Sequence, residues 1–492
     1  MPARRRVLQR LAQGSLAAAC PATLLAAPRR TLPDPSALLP EALRSRLAGS
    51  GLPLDSFGLS AVAIDTGAPV LALHAQQPYV LASTAKVVTA LAALDLLGPR
   101  YRWRTRAYLL GPLVDGVLHG DLLIVGGGDV QLSTEQLRTW FTAMQAQGLR
   151  EVRGDLRLDR SAFHLVDADY ASTPIPAPER PHHVRPDALS LDGGVVRVAV
   201  QPARGARALV SVTPPLANVR IVNGVGMQGG CNASALFRPQ HGRPELQVSG
   251  SWSAACGARE FEFAPLAAEE MTLRALGEVW RESGGRLRGA VLDRPVPTTQ
   301  DGLPAGPDGV SVPLYAVHSS EPLATLVRAM NKQSQNVMAR HLMLSLAPGF
   351  PWRPATPAAA QARLRLWLAR QGLAPDDVVL DNGSGLSRAE RAKPAAMVQL
   401  LRGVWGTRNS QIFFDSLPIA GVDGTLAHRL SQPSVHGQAF LKTGTLLDTR
   451  ALAGYVHGRS GRWYAVAMMA NHPNAAQATP ALDGVIDWLA KL

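Results

Sequence analysis

The stretch LASTAKVVTALAALDLL, residues 81–97, decides how this chain is read. Val87, Val88, Leu91, Leu94 and Leu97 recur at helical spacing, Gly98 and Pro99 supply a stop, and Ser83 stands where an N-cap belongs. Lys86 is the odd member, because it follows Ser83 by one turn on the same face and apolar residues follow it at once. A cap with a solvated lysine and a nucleophile with its base both fit this spacing. A single Ser-x-x-Lys arises by chance in most long chains.

Lysine usage adds weight to the second reading. The chain has only five lysines, Lys86, Lys332, Lys393, Lys442 and Lys491, and meets its need for positive charge elsewhere with arginine. A desolvated lysine beside another cation can lose its proton near neutral pH, whereas arginine stays charged. Three of the five fall in STAK, NKQSQN and KTGT, short segments that also carry a serine, threonine or asparagine.

Outside these segments the sequence bounds the answer. Its 492 residues allow roughly two to four domains, and 46% hydrophobic against 18% charged residues mark a globular chain. Residues 1–27 read as an export signal, with Arg4, Arg5, Arg6 and Arg10 preceding a small-residue and apolar run. RRRVLQ also resembles a twin-arginine signal. A lipid anchor on Cys20 is the weaker reading, because Ala17 stands where such motifs want a larger aliphatic. Taking the four signal arginines from the formal net charge of +13 leaves +9, scattered without a block of like charge. That pattern argues against nucleic acid, and allows peripheral association with an anionic membrane or cell wall.

Only Cys231 and Cys256 remain after signal removal, and an isolated pair in an exported chain reads as a disulfide. Adjacent His182 and His183, in the proline-rich stretch 172–186, read as an exposed loop pair without a third metal ligand. Gly126 to Asp129, GGGD, lacks the spacing of a phosphate loop and reads as a turn.

Runs at 58–64 and 70–74 read as a hairpin, and AFLKTGTL, TRALAGYVHG and GRWYAVAMMANH as three consecutive C-terminal strands. Helical patterns cover 322–331, 337–346, 358–370, 394–405 and 480–492. Residues 101–313 carry many short strands and two helices, near 134–147 and 266–283. The expected fold is α+β: an antiparallel sheet from both chain ends, flanked by helices, within 36–100 and 314–492. The β-rich block 101–313 is then an insertion of two subdomains.

In order along the chain stand Ser83 and Lys86, Ser334 and Asn336, then Lys442, Thr443 and Gly444. This set is the signature of penicillin-binding proteins and serine β-lactamases. The separation of 251 positions from Ser83 to Ser334, with HSSEPLATLVRAMNKQSQN, DNGSGLSR, LPIAGVDGTL and LKTGTL, resembles a narrower group. That group is the class C low-molecular-mass penicillin-binding proteins, the D-Ala-D-Ala carboxypeptidase/endopeptidases.

The resemblance implies a penicillin-binding fold and an exported serine hydrolase of peptidoglycan stem peptides and cross-links, inhibited by β-lactams and needing no cofactor or metal. Ser83 would be the nucleophile and Lys86 its base. Ser334 would pass a proton to the leaving amine, Lys442 would hold its protonation balance, and Asn336 would orient the substrate amide. Thr443, Gly444 and Thr445 would line the substrate strand, with Arg388 and Asp159 as further substrate contacts. Leu447 stands where a polar group can meet the third stem residue, and Gln335 where the family commonly has an acid or glycine. A β-lactamase-like hydrolase and a non-catalytic envelope-binding protein are the alternatives.

Overall fold

The computed structural model describes residues 38–239, 243–299, 302–306 and 309–492. The expected export signal and Cys20 lie outside them. The central sheet is antiparallel and runs Pro69–Leu73, Phe57–Ala63, Trp463–Asn471, Thr449–His457, Ala439–Leu446, so two strands from one chain end meet three from the other. Its strands are nearly continuous apolar runs because both faces are covered. Alternate residues fall into separate cores: Ala465, Ala467 and Met469 meet the helices Ala85–Leu96, Leu323–Gln333, Asn336–Leu344 and Pro394–Val404. Tyr464, Val466 and Met468 meet Glu41–Ala48 and Thr479–Lys491.

The inserted block builds a mixed sheet ordered Val291–Asp293, Leu156–Asp159, Asp121–Val125, Arg104–Leu110, Leu314–Ser319. Nested within it, residues 196–263 form two three-stranded sheets that share one apolar core with the helices Thr134–Ala146 and Ala268–Glu282. Leu314–Ser319, read from sequence as the return to the flanking region, pairs instead with Arg104–Leu110 in the insertion's sheet. The chain crosses back just after it, where the Ser320 and Leu323 amides bond to the Trp103 and Tyr101 carbonyls.

Cys231 and Cys256 are bonded, closing a loop of 25 residues. Loop-closure entropy of this length contributes about 3 kcal/mol. The GGGD segment is a close backbone crossing, since a Cβ on Gly127 would lie 2.1 Å from the Arg104 carbonyl oxygen.

A three-stranded ladder completes the frame, with Arg391–Ala392 between Val378–Val379 and Tyr79–Val80. It carries the loop 381–388 back over the start of the helix Ala85–Leu96.

Candidate active site

Ser83 does not cap its helix. It sits in a 3-10 turn, Ala82–Thr84, that runs into Ala85–Leu96, and no side chain caps the junction. Two glycines let the surrounding backbone close on this turn. A Cβ on Gly385 would lie 1.9 Å from the Ala82 carbonyl oxygen, and one on Gly444 would lie 2.8 Å from that of Leu81. Ala82 itself takes φ of 45°, an uncommon conformation for a residue with a side chain.

Lys86 is fully buried one turn on, with Nζ 3.0 Å from Ser83 Oγ. The same amine donates to Asn336 Oδ1 at 2.6 Å and to the Ser384 carbonyl in the loop 381–388. A neutral lysine has two N–H bonds and one lone pair, so these partners use both donors and leave the lone pair for the Ser83 hydroxyl. Burial first, then the charges of Lys442 and Arg340, hold Lys86 well below its ordinary pKa, against an opposing pull from Glu390.

Ser334 ends the helix Leu323–Gln333 in the left-handed region, at φ 59° and ψ 37°. This conformation, costing roughly 1–2 kcal/mol for a non-glycine residue, separates two helices and presents Oγ to Lys442 Nζ at 2.9 Å. Asn336 then opens the next helix, its Oδ1 on Lys86 and its Nδ2 donating to the His182 carbonyl at 3.3 Å. The Gln335 side chain donates Nε2 to Gln333 Oε1 at 3.2 Å.

Lys442 is fully buried on Ala439–Leu446, the edge strand of the central sheet, and donates to Ser334 Oγ and the Thr443 carbonyl. Thr443 Oγ1 lies 2.8 Å from Thr425 Oγ1, in the loop whose Asp423 pairs with Lys332 at 2.6 Å. Lys332, grouped by sequence with Lys86 and Lys442, is therefore a tether between the second and third motifs. Thr445 is exposed on the strand.

Burial alone moves Lys442 from 10.5 to about 7. Between those values the unfolded chain holds one more proton at this position than the folded one, so stability rises with pH across that window. Lys442→Met is expected to raise Tm most below pH 7, with the gain fading towards pH 10, as thermal melts across that range measure.

Arg388 lies at the rim, ion-paired with Asp448 just beyond the third motif, each side chain 47% exposed. Asp159 stands apart from the motifs: it is buried, and its Oδ1 accepts the Ser161 amide. Leu447 is exposed.

Three residues of the site had no sequence signature. Glu390 is fully buried, and its carboxylate accepts the backbone amides of Asp381, Asn382, Gly383 and Gly385 while its carbonyl accepts that of Leu81. Arg340, one turn after Asn336, donates to the Val184 carbonyl at 2.9 Å. His182, expected to be an exposed loop residue, lines a cleft with Ser334 and Asn336, and His183 is buried. The insertion pulls the histidine turn onto the second-motif helix, which the proline-rich texture could not reveal.

The chain is 31% identical over 431 residues to a D-alanyl-D-alanine carboxypeptidase of Actinomadura sp., covering 82% of this chain and 76% of the relative. It is 27% identical over 406 residues to D-alanyl-D-alanine carboxypeptidase DacB of Haemophilus influenzae, covering 79% and 80%. The crystal structure of penicillin binding protein 4 (dacB) from Haemophilus influenzae has the same fold, with a TM-score of 0.72 at 23% identity over 92% of this chain and 99% of that one. A family model matches residues 39–492, and with that match the chain belongs to the D-Ala-D-Ala carboxypeptidase 3 (S13) family.

Proposed function

We propose that this serine-type D-Ala-D-Ala carboxypeptidase works through an acyl-enzyme on Ser83. The observation that carries the reading is the fully buried Lys86 amine, held by Asn336 Oδ1 and the Ser384 carbonyl with Nζ 3.0 Å from Ser83 Oγ, where burial favours its neutral form. Lys86 takes the Ser83 proton as Oγ attacks the carbonyl of the penultimate D-alanine of a stem peptide. The Ser83 and Thr445 amides receive the oxyanion. Ser334, bonded to Lys442, relays to the departing amine the proton that Lys86 took, and water then attacks the acyl ester, its proton passing through Lys86 back to Ser83 Oγ as the ester C–O bond breaks.

The substrate backbone pairs with the part of Ala439–Leu446 beyond Leu441, where Gly444 keeps the strand close to the nucleophile turn. Thr443 and Thr445 hydroxyls meet the terminal carboxylate, and Arg388 approaches from the rim. Asp159, turned towards Ser161, is left out of this set. The same chemistry cleaves cross-links when the leaving amine belongs to a second stem. β-Lactams acylate Ser83 in place of substrate; a solved structure of the Haemophilus influenzae relative is complexed with a β-lactam.

The leader sequence and the Cys231–Cys256 disulfide support export to the periplasm or cell envelope. No helix among the described residues is long and apolar enough to cross a membrane. Incubation with a stem pentapeptide is expected to release D-alanine, read by mass analysis. An intact protein that releases none, at any substrate concentration, contradicts the reading.

A further inference from the structure

The space beyond Ser334 is open. A cleft of about 440 Å³ runs from Ser334, Gln335 and Asn336 across to the insertion, where Gln131, His182 and Arg197 line it. The insertion's side is latched in place: Asn336 and Arg340, one turn apart, donate to the His182 and Val184 carbonyls. The cleft is therefore a fixed feature of the site, built jointly by the second motif and the insertion.

Its lining has unused hydrogen-bonding capacity. Gln131 Oε1 is buried and has no partner among the described residues. A buried acceptor left unpaired is unfavourable, and an incoming N–H relieves that cost. The half-buried His182 ring packs edge-on against His183 at 4.3 Å, and among the described residues nothing bonds its ring nitrogens. Burial, His183 and Arg180 hold it below its ordinary pKa, so at neutral pH it offers one donor and one acceptor. Amides and a neutral imidazole suit a peptide backbone, which presents both N–H and C=O groups.

Which peptide occupies the cleft follows from the direction of the reaction. When the scissile C–N bond breaks, the nitrogen leaves on the Ser334 side, carrying the proton that Ser334 gives it. In carboxypeptidase action that nitrogen belongs to one D-alanine, which ends at its carboxylate. In cross-link cleavage it belongs to a side chain of another stem, and the rest of that stem must lie beyond Ser334. We propose that this cleft is the subsite for the second stem peptide of a cross-link, with His182 and Gln131 as its polar contacts. The inference rests on the acyl-enzyme reading of Ser83.

The test compares a cross-linked dimeric muropeptide with an uncross-linked pentapeptide muropeptide, for the full chain and for His182→Ala and Gln131→Leu. Each substitution is expected to lower cross-link cleavage about tenfold relative to D-alanine release. Labelling by a fluorescent penicillin shows that a variant is folded, and a variant that does not label is judged through the other. Ratios unchanged in the labelled variants, or both rates falling in step, overturn the subsite. A wild type that neither labels nor releases D-alanine refutes the acyl-enzyme reading itself.

Discussion

Lys86→Met is expected to slow acylation by penicillin about 10²–10⁴-fold, the range that a positioned general base supplies. Methionine keeps the length and apolar body of the side chain and removes only the amine that faces Ser83 Oγ at 3.0 Å. Stability should not fall with activity. The amine is fully buried beside Lys442, and both charges are disfavoured there, so an apolar replacement relieves a cost even as it leaves the Asn336 and Ser384 acceptors unpaired. Lys86→Arg should fail equally, because a guanidinium keeps its proton at any usable pH. Labelling rates measured at fixed probe concentration decide the matter, and wild-type rates in either variant would remove Lys86 from the mechanism.

Glu390→Gln should affect both stability and activity. One carboxylate holds four backbone amides of the loop 381–388, and a glutamine must aim its NH₂ at some of those same donors. Leaving buried amides unpaired is expected to cost about 3 kcal/mol, visible as a lower denaturation midpoint at unchanged slope. The same loop supplies the Ser384 carbonyl to Lys86, and Glu390's own carbonyl holds the Leu81 amide before the nucleophile turn. A displacement of about 1 Å in such a site can cost about 10²-fold, so acylation should slow by that order. A variant that labels at the wild-type rate would reduce Glu390 to a structural residue.

The parts of this architecture that were legible in the sequence are those written in local pattern. Apolar runs separated by turn residues identified the three C-terminal strands, helical periodicity identified the helices packed against the sheet, and the three motifs in order carried the family. The missing parts depend on contacts between distant segments. Nothing near Glu390 announces that its carboxylate will close on a loop, because four backbone amides have no sequence signature. The proline-rich texture around His182 spoke for an exposed loop, yet hydrogen bonds from Asn336 and Arg340, more than 150 residues away in the chain, seat that turn at the cleft. Lys332 misled for the opposite reason: it lies in a motif segment but points to Asp423. Leu314–Ser319 follows a proline-bounded change of texture, and only its pairing with Arg104–Leu110 assigns it to the insertion.

Covalent labelling locates the nucleophile, expected at Ser83. Protein incubated with a fluorescent penicillin, then digested and mass-mapped, should carry one adduct on the peptide containing Ser83, and Ser83→Ala should carry none. An adduct on another residue, or undiminished labelling of Ser83→Ala, would contradict the account.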